Sequence, residues 1–168
     1  GSEITDDLEK RVNEYAKTEI TGDVDNLNIS EQAVLEKLVD ASKIMHSIFI
    51  AQACPDYFEI RSEIEASNSE FVLSYFDINV GPWDRRLHFE PFYSDRPHPE
   101  GANYYPLDLT IEEKALINDS ANGFDGLFTM IRRNENGNLV AIPYSEFFNE
   151  ELTEAAKLLN EAADLSED

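Results

Sequence analysis

The chain contains 168 residues, of which 42% are hydrophobic and 11% aromatic, so it is apolar enough to bury the core of one domain and is not a disordered segment. Its 35 acidic residues outnumber the 13 basic ones, and the net charge of −22 argues against nucleic acid or an anionic membrane surface as a partner. The single cysteine excludes a disulfide within the chain, and no apolar run approaches the length of about 18 residues that predicts a membrane span.

Residues 1–29 are predicted to form an arm ahead of the main domain. Gly1-Ser2 is typical of a tag remnant, residues 4–18 have the apolar spacing of a short polar helix, and residues 22–28 form a turn-rich break. No basic start followed by an apolar stretch is present, so the sequence predicts no signal peptide and a cytoplasmic location.

The clearest helix is predicted from Ser30 to about Ala53. Ser30 is a suitable N-cap, and the pattern stops at Pro55 because proline disfavours a helical residue before it. Apolar residues recur every three or four positions and predict burial along one side: Val34, Leu35, Leu38, Ala41, Ile44, Met45, Ile48 and Phe49. Residues 56–66 predict a second helix, while the short apolar run at 69–77 fits a helix or a strand.

The pattern changes between residues 79 and 106, where prolines and aromatic residues replace helical periodicity. An ordered, irregular segment of this length is often functional. Its most unusual stretch is Gly81-Pro82-Trp83-Asp84-Arg85. Trp83, Asp84 and Arg85 are interpreted either as anchors that hold the loop or as a surface that touches a ligand or another domain.

The remainder of the chain predicts a helix, a hairpin and a final helix. Thr110 is expected to cap a helix of about ten residues, and Asn136-Gly137 marks the turn of a β-hairpin at about 127–142. Ser145 is expected to cap a C-terminal helix at about 145–165. The predicted fold class is therefore α+β and predominantly helical, with helices packed around the long aromatic and proline-rich loop.

No complete catalytic or metal-binding motif is present in the sequence. The histidines are His46, His88 and His98, and none takes part in the His-Glu-x-x-His pattern that places two zinc ligands and a base on one helical face. A metal site built from His88, His98 and nearby carboxylates is the weakest alternative, because no paired spacing supports it. We therefore predict neither a catalytic residue nor a metal ligand in this chain.

Four segments in the same order resemble one protein family. Residues 79–85 resemble the Asn-Tyr-Gly-Pro-Trp-Asp-Arg stretch of bacterial dipeptidyl peptidase III-like zinc peptidases, and residues 100–106 resemble that family's Ala-Gly-Ala-Asn-Phe-Tyr-Pro. Residues 127–145 are similar to its hairpin, and the helix containing residues 41–45 is similar to a helix near its N-terminus. The resemblance covers residues 30–165.

The resemblance implies that residues 30–168 are a single helical-rich domain from the N-terminal part of such a peptidase, and the abrupt end predicts a truncated chain. The family removes dipeptides from peptide N-termini with one zinc ion, held by a His-Glu-x-x-Gly-His helix and a later glutamate, and some relatives are fused to Nudix hydrolase domains. Neither zinc motif occurs here. Zinc and the peptide substrate are therefore expected only in the full-length parent, and this chain is expected to be inactive.

The resemblance also implies a partner and a contact loop. The expected partner is the rest of the parent chain, including its metal-bearing region, and the expected role is that of a scaffold or cleft wall. Asn103 and Tyr104 join Trp83, Asp84 and Arg85 as candidates for contact with a ligand or a domain. The alternative is a standalone acidic binding or interaction module without enzyme activity.

Overall fold

Seven α-helices, one short 3-10 helix and four short strands form the regular structure of residues 2–117 and 120–166, which are the residues that this computed structural model describes. The fold is α+β and predominantly helical, as predicted. The helices are α1 (Ser2–Asn13), α2 (Ile29–Ala53), α3 (Tyr57–Ala66), α4 (Glu70–Asn79), α5 (Ile111–Ile117), α6 (Tyr144–Phe147) and α7 (Asn149–Leu165). The strands are β1 (Trp83–Asp84), β2 (Glu90–Pro91), β3 (Thr129–Arg133) and β4 (Leu139–Pro143), and Ser120–Asn122 is the 3-10 helix.

The chain divides into two compact units. The first unit contains the residues up to Thr21 together with Ile50–Ala102, and the second contains Gly22–Phe49 and the chain from Asn103 onward. Helix α2 begins in the second unit and ends in the first. The sequence-based division into residues 1–29 and 30–168 stays a prediction.

The core of the first unit is built from helices whose apolar residues recur at helical spacing. Tyr57, Ile60 and Ile64 of α3 are buried, as their spacing predicts. The ambiguous run at 69–77 is helical, because its buried residues lie three and four positions apart and share one face. The buried cluster of this unit consists of Leu8, Ile50, Cys54, Tyr57, Ile60, Ile64, Val72, Tyr75, Phe76 and Trp83.

A sharp turn after α4 directs the chain back into this core. Val80 and Gly81 both have positive φ values, 53° and 142°. A Cβ atom at Gly81 would lie 3.2 Å from the ring of Trp83 and 3.3 Å from the Sγ atom of Cys54. Glycine is favoured here because this backbone conformation strains any other residue and because a Cβ would crowd two buried side chains. The turn places Trp83 inside the first unit.

The second unit contains the predicted hairpin, which is confirmed. Strands β3 and β4 pair antiparallel from Thr129 opposite Pro143 to Arg133 opposite Leu139. The turn is closed by the Asn134 N–H, which donates to the carbonyl oxygen of Asn138 at 2.9 Å. Gly137 takes the left-handed position of this turn, with a φ of 80°.

The predicted caps at two of the helices are wrong. Helix α2 begins after Asn28, whose Oδ1 accepts from the Glu31 N–H at 2.9 Å while its own N–H donates to Glu31 Oε2 at 2.8 Å. This reciprocal pair is a capping box in which Asn28, and not Ser30, is the N-cap residue. Ser145 is also no cap, because the C-terminal helix is preceded by short α6 and the chain bends at Phe148, with φ −110° and ψ 38°.

The predicted burial of one side of α2 is only partly correct. Ala41 and Ile48 are buried, as expected. In contrast, Leu38, Met45 and Phe49 from the same predicted stripe are 43%, 48% and 44% exposed. The apolar stripe of α2 is wider than the surface against which the described residues pack, so a substantial part of it faces solvent.

An arginine of the hairpin is paired with carboxylates near α5. The Arg133 guanidinium donates to both oxygens of Glu113 at 2.7 and 2.8 Å and to Asp108 at 2.9 Å. Glu113 also completes a capping box with Thr110, as the predicted cap requires. The Arg133 hydrogen bonds, followed by the Thr110 backbone N–H, lower the pKa of Glu113 to about 2.

We expect an NMR titration of Glu113 to give a pKa of about 2, well below the ordinary range for glutamate. Because the folded pKa is depressed, the stabilisation is present above the unfolded pKa and is lost as the pH falls through the folded one. The variant Arg133→Lys should raise the Glu113 pKa, since lysine cannot reproduce the bidentate hydrogen bonds that Arg133 donates to Glu113. An unchanged pKa in that variant would show that Thr110 alone sets it.

Candidate functional site

Asp84 is the centre of a buried hydrogen-bond cluster in the first unit. Its side chain is 1% exposed. Oδ2 accepts from the Tyr75 hydroxyl at 2.6 Å and from Arg11 Nη1 at 2.8 Å, and Oδ1 accepts from the backbone N–H groups of Arg86 and Leu87 at 2.9 and 3.2 Å. One carboxylate therefore holds α1, α4 and the loop that follows β1 in a single arrangement.

Trp83 anchors the same loop by burial and by one hydrogen bond. It is 3% exposed, and its indole N–H donates to the carbonyl oxygen of Arg96 at 2.9 Å. The imidazole of His98 meets the indole edge-on, with the ring centroids 4.9 Å apart. The backbone of Trp83 pairs with Pro91 in the short β1–β2 ladder. The indole therefore contacts both the core and the far end of the loop.

Arg85 is exposed, in contrast to its neighbours Trp83 and Asp84. Its Nε donates to the carbonyl oxygen of Asn79 at 2.7 Å, and its backbone N–H donates to Asn79 Oδ1 at 3.0 Å. The guanidinium carbon lies 5.8 Å from the ring centroid of Phe89. These contacts fix the stem of Arg85 at the end of α4, where a positive charge is favourable against the helix dipole.

Asn103 and Tyr104 belong to the second unit, where Arg132 binds their backbone. Arg132 Nη2 donates to the Asn103 carbonyl oxygen at 2.9 Å, and the Ile131 N–H donates to the Tyr104 carbonyl oxygen at 2.9 Å. The Tyr104 hydroxyl is hydrogen-bonded to that of Tyr144. Both predicted residues are half-buried, and they hold this stretch against the outer edge of β3.

The structure thus brings Trp83, Asp84 and Arg85 together in one unit, and Asn103 with Tyr104 in the other. Sequence reasoning missed Arg11 and Tyr75, because Arg11 lies 73 residues from Asp84 and no local pattern joins them. It also missed Arg132, whose guanidinium carbon lies 4.8 Å from the centroid of the Phe147 ring.

A cavity lies beside the Asp84 cluster, with a volume of about 250 Å³. Its lining holds two ion pairs: Arg11 contacts Asp7 at 2.7 Å and Arg86 contacts Glu14 at 2.7 Å. A cavity whose charges of both signs already neutralise one another offers no single sign by which to select an ion. The lining residues are Asp7, Lys10, Arg11, Glu14, Tyr75, Asp84, Arg86 and Leu87.

The shifted pKa values of Asp84, Tyr75 and Cys54 indicate a structural role for these side chains and not a reactive one. Burial opposes the charge on Asp84, but the hydrogen bonds from Tyr75, the Arg86 N–H and Arg11 outweigh it and lower the Asp84 pKa. Burial, followed by the hydrogen bond to Asp84, raises the pKa of Tyr75 to about 12. Burial likewise raises the pKa of the Cys54 thiol to about 12, so Cys54 is a core residue and not an activated nucleophile.

The described residues do not assemble a zinc site. Among residues 7–117 and 121–166, whose side chains the structure describes, no three His, Cys, Asp or Glu side chains come together in an arrangement that could hold a metal ion. His98 is stacked on Phe89, with the ring centroids 4.2 Å apart, and burial followed by the charge of Arg85 lowers its pKa.

None of the helices in the described part of the chain combines the length and hydrophobicity needed to cross a bilayer.

Two solved structures are similar to this chain over nearly all of its length. The structure of dipeptidyl peptidase III from Caldithrix abyssi is 43% identical, covers 95% of the chain and superposes with a TM-score of 0.84. The enzyme of that name from Corallococcus sp. strain EGB is 31% identical, covers 97% and has a TM-score of 0.87. These matches confirm the resemblance to the dipeptidyl peptidase III family.

The similarity takes in only part of each relative. The chain spans 32% of both dipeptidyl peptidase III structures. Nudix hydrolase 3 of Arabidopsis thaliana is 24% identical over 216 residues, which include 94% of this chain and 28% of that protein. No protein-family model matches the chain. The region shared with dipeptidyl peptidase III is therefore about a third of those proteins.

Proposed function

We propose that this chain is the N-terminal, non-catalytic portion of a dipeptidyl peptidase III-like zinc peptidase, in which it serves as a scaffold or as one wall of the substrate cleft. The observation that carries this proposal is the match to the Caldithrix abyssi structure, which takes in 95% of the chain at 43% identity but only 32% of that protein. Most of such a protein thus lies outside the shared region.

The contacts of Trp83, Asp84 and Arg85 support a scaffold role. Trp83 and Asp84 are buried and satisfied within their own unit, so their contribution to a cleft would be indirect, through the position of the loop. Arg85 is the member of that stretch whose side chain reaches solvent, and we propose it as a contact to the rest of the parent chain or to its peptide. Zinc and peptide would be bound by the parent protein, since the residues that the structure describes do not fit a zinc site.

A chimeric enzyme tests this proposal. The matching third of the Caldithrix abyssi dipeptidyl peptidase III would be replaced by these 168 residues, and hydrolysis of a chromogenic dipeptide substrate would be measured with added zinc. We expect the chimera to turn over the substrate, and the isolated chain to show no turnover above a no-protein control. A relative that lacks the matching third should be inactive if that third is needed as a scaffold.

Two results would contradict the proposal. Turnover by the isolated chain would show that a catalytic site lies within it. A chimera that folds and binds one zinc per chain, yet is inactive, would favour the alternative of a standalone acidic interaction module. Circular dichroism and elemental analysis of the chimera separate this second result from simple misfolding.

A further inference from the structure

A largely apolar stripe lies exposed on α2 within the second unit. We define the α2 stripe as the residues that recur on one helical face and are all exposed: Leu35, Leu38, Val39, Ser42, Met45, His46 and Phe49. Its large apolar members are between 38% and 48% exposed. From residue 35 to residue 49 the stripe is about 20 Å long, given a rise of about 1.5 Å per residue.

The composition of the α2 stripe is that of a buried face. It contains no acidic residue, although the chain has 35 of them. The hydroxyl of Ser42 donates to the carbonyl oxygen of Val39 at 2.7 Å, so the stripe's small polar side chain is satisfied by its own helix. Apolar residues at three- and four-residue spacing form the face that a helix buries against another element, and an apolar surface of this extent usually marks an interaction site.

The opposite side of α2 is already occupied. Lys37 pairs with Glu161 of α7 at 2.6 Å, and the Ser30 hydroxyl donates to the Leu165 carbonyl oxygen at 3.0 Å. Ala41 and Ile48, which lie on that same side, are buried. The helix is thus held on one face and presents a second apolar face that the described residues leave exposed, which is a pattern typical of a helix between two packed layers.

We propose that the α2 stripe is the surface against which an apolar face from the rest of a dipeptidyl peptidase III-like parent chain packs. This inference rests on the proposed function. The relatives have the additional chain that such packing requires, because these 168 residues span 32% of the dipeptidyl peptidase III structures. A second copy of this chain is a poor occupant, since two molecules of net charge −22 would repel each other as their α2 stripes approached.

Cysteine labelling of the chimeric enzyme tests the occupant. The variant Met45→Cys would be made in the isolated chain and in the chimera, and the rate of reaction with a maleimide would be measured for each. The native Cys54 contributes little background, because it is 2% exposed and its thiol pKa is raised to about 12. We expect labelling at position 45 to be about tenfold slower in the chimera, because access to the thiol limits the reaction.

The matched control places the new cysteine elsewhere on α2. Lys43→Cys lies off the stripe at an exposed position and should react equally fast in both proteins. Equal rates at position 45 in an active chimera would overturn this inference and leave the proposed function standing. An inactive chimera that still protects position 45 would contradict the proposed function and leave this inference standing.

Two further measurements keep the inference open to refutation. If the chimera does not fold, the isolated Met45→Cys chain is mixed with the remaining part of the Caldithrix abyssi protein, and protection is still expected. Absence of protection there overturns the inference. Protection that grows with the concentration of the isolated chain alone, together with dimers in analytical ultracentrifugation, also overturns it, because the occupant is then a second copy.

Discussion

Replacing Trp83 by alanine is expected to lower the free energy of unfolding of the first unit by about 3–5 kcal/mol. The indole is 3% exposed and packs beside Gly81 and Cys54, so its removal leaves a cavity in the core. The hydrogen bond from the indole N–H to the Arg96 carbonyl oxygen is lost as well. Urea unfolding followed by far-UV circular dichroism measures the change.

Phe58→Ala is the matched control, because Phe58 is 66% exposed and lies on α3 of the same unit. Its cost should stay within about 1 kcal/mol, as is usual for surface positions. If Trp83→Ala costs no more than the control, the indole does not hold the loop. Such a result would strengthen the alternative interpretation of Trp83 as a contact for a ligand or another domain.

The variant Asp84→Asn is expected to destabilise the first unit by about 2–4 kcal/mol. An asparagine amide has one acceptor oxygen, so it cannot serve the Tyr75 hydroxyl, Arg11 and the two backbone N–H groups together. At least one buried donor is left unpaired. Trp83 is the single tryptophan of the chain, and its fluorescence during urea unfolding reports this change directly.

The Asp84 effect should depend on pH. The folded pKa of Asp84 is lowered, so the carboxylate stabilises the fold above its unfolded pKa, about 4, and this contribution is lost as the pH falls through the folded value. The difference between wild type and Asp84→Asn should therefore be largest at neutral pH and shrink in acid. The exposed Asp95→Asn variant is the control and should show little difference at either pH.

Taken together, these two variants address what the Gly-Pro-Trp-Asp-Arg stretch is for. Both of the tested side chains are satisfied by partners within the first unit, which explains a structural role without reference to a ligand. Arg85 differs, because its stem is held while its side chain reaches solvent. A contact function of this stretch is therefore proposed for Arg85 and not for its neighbours.

Short-range patterns in the sequence predicted most of the longer helices, the hairpin and the family resemblance. Helices α2 and α3 follow from apolar spacing, and the hairpin follows from two β runs that flank Asn136-Gly137. The run that forms α4 fitted a helix or a strand, and the structure decided for a helix. The sequence also shows directly that it does not contain the zinc motif, because that motif is defined by residues close together in one helix. Each of these features depends on residues that lie close together along the chain.

The partners of these elements could be known only from the tertiary structure. Periodicity shows that a helix has an apolar face, but not how much of that face is covered, and so the exposure of Leu38, Met45 and Phe49 was not foreseen. The pairing of Asp84 with Arg11, 73 residues away, was equally hidden, because ion pairs between distant segments leave no local signal. Whether a side chain is an anchor or a contact depends on what surrounds it in space, and a sequence specifies its neighbours only along the chain.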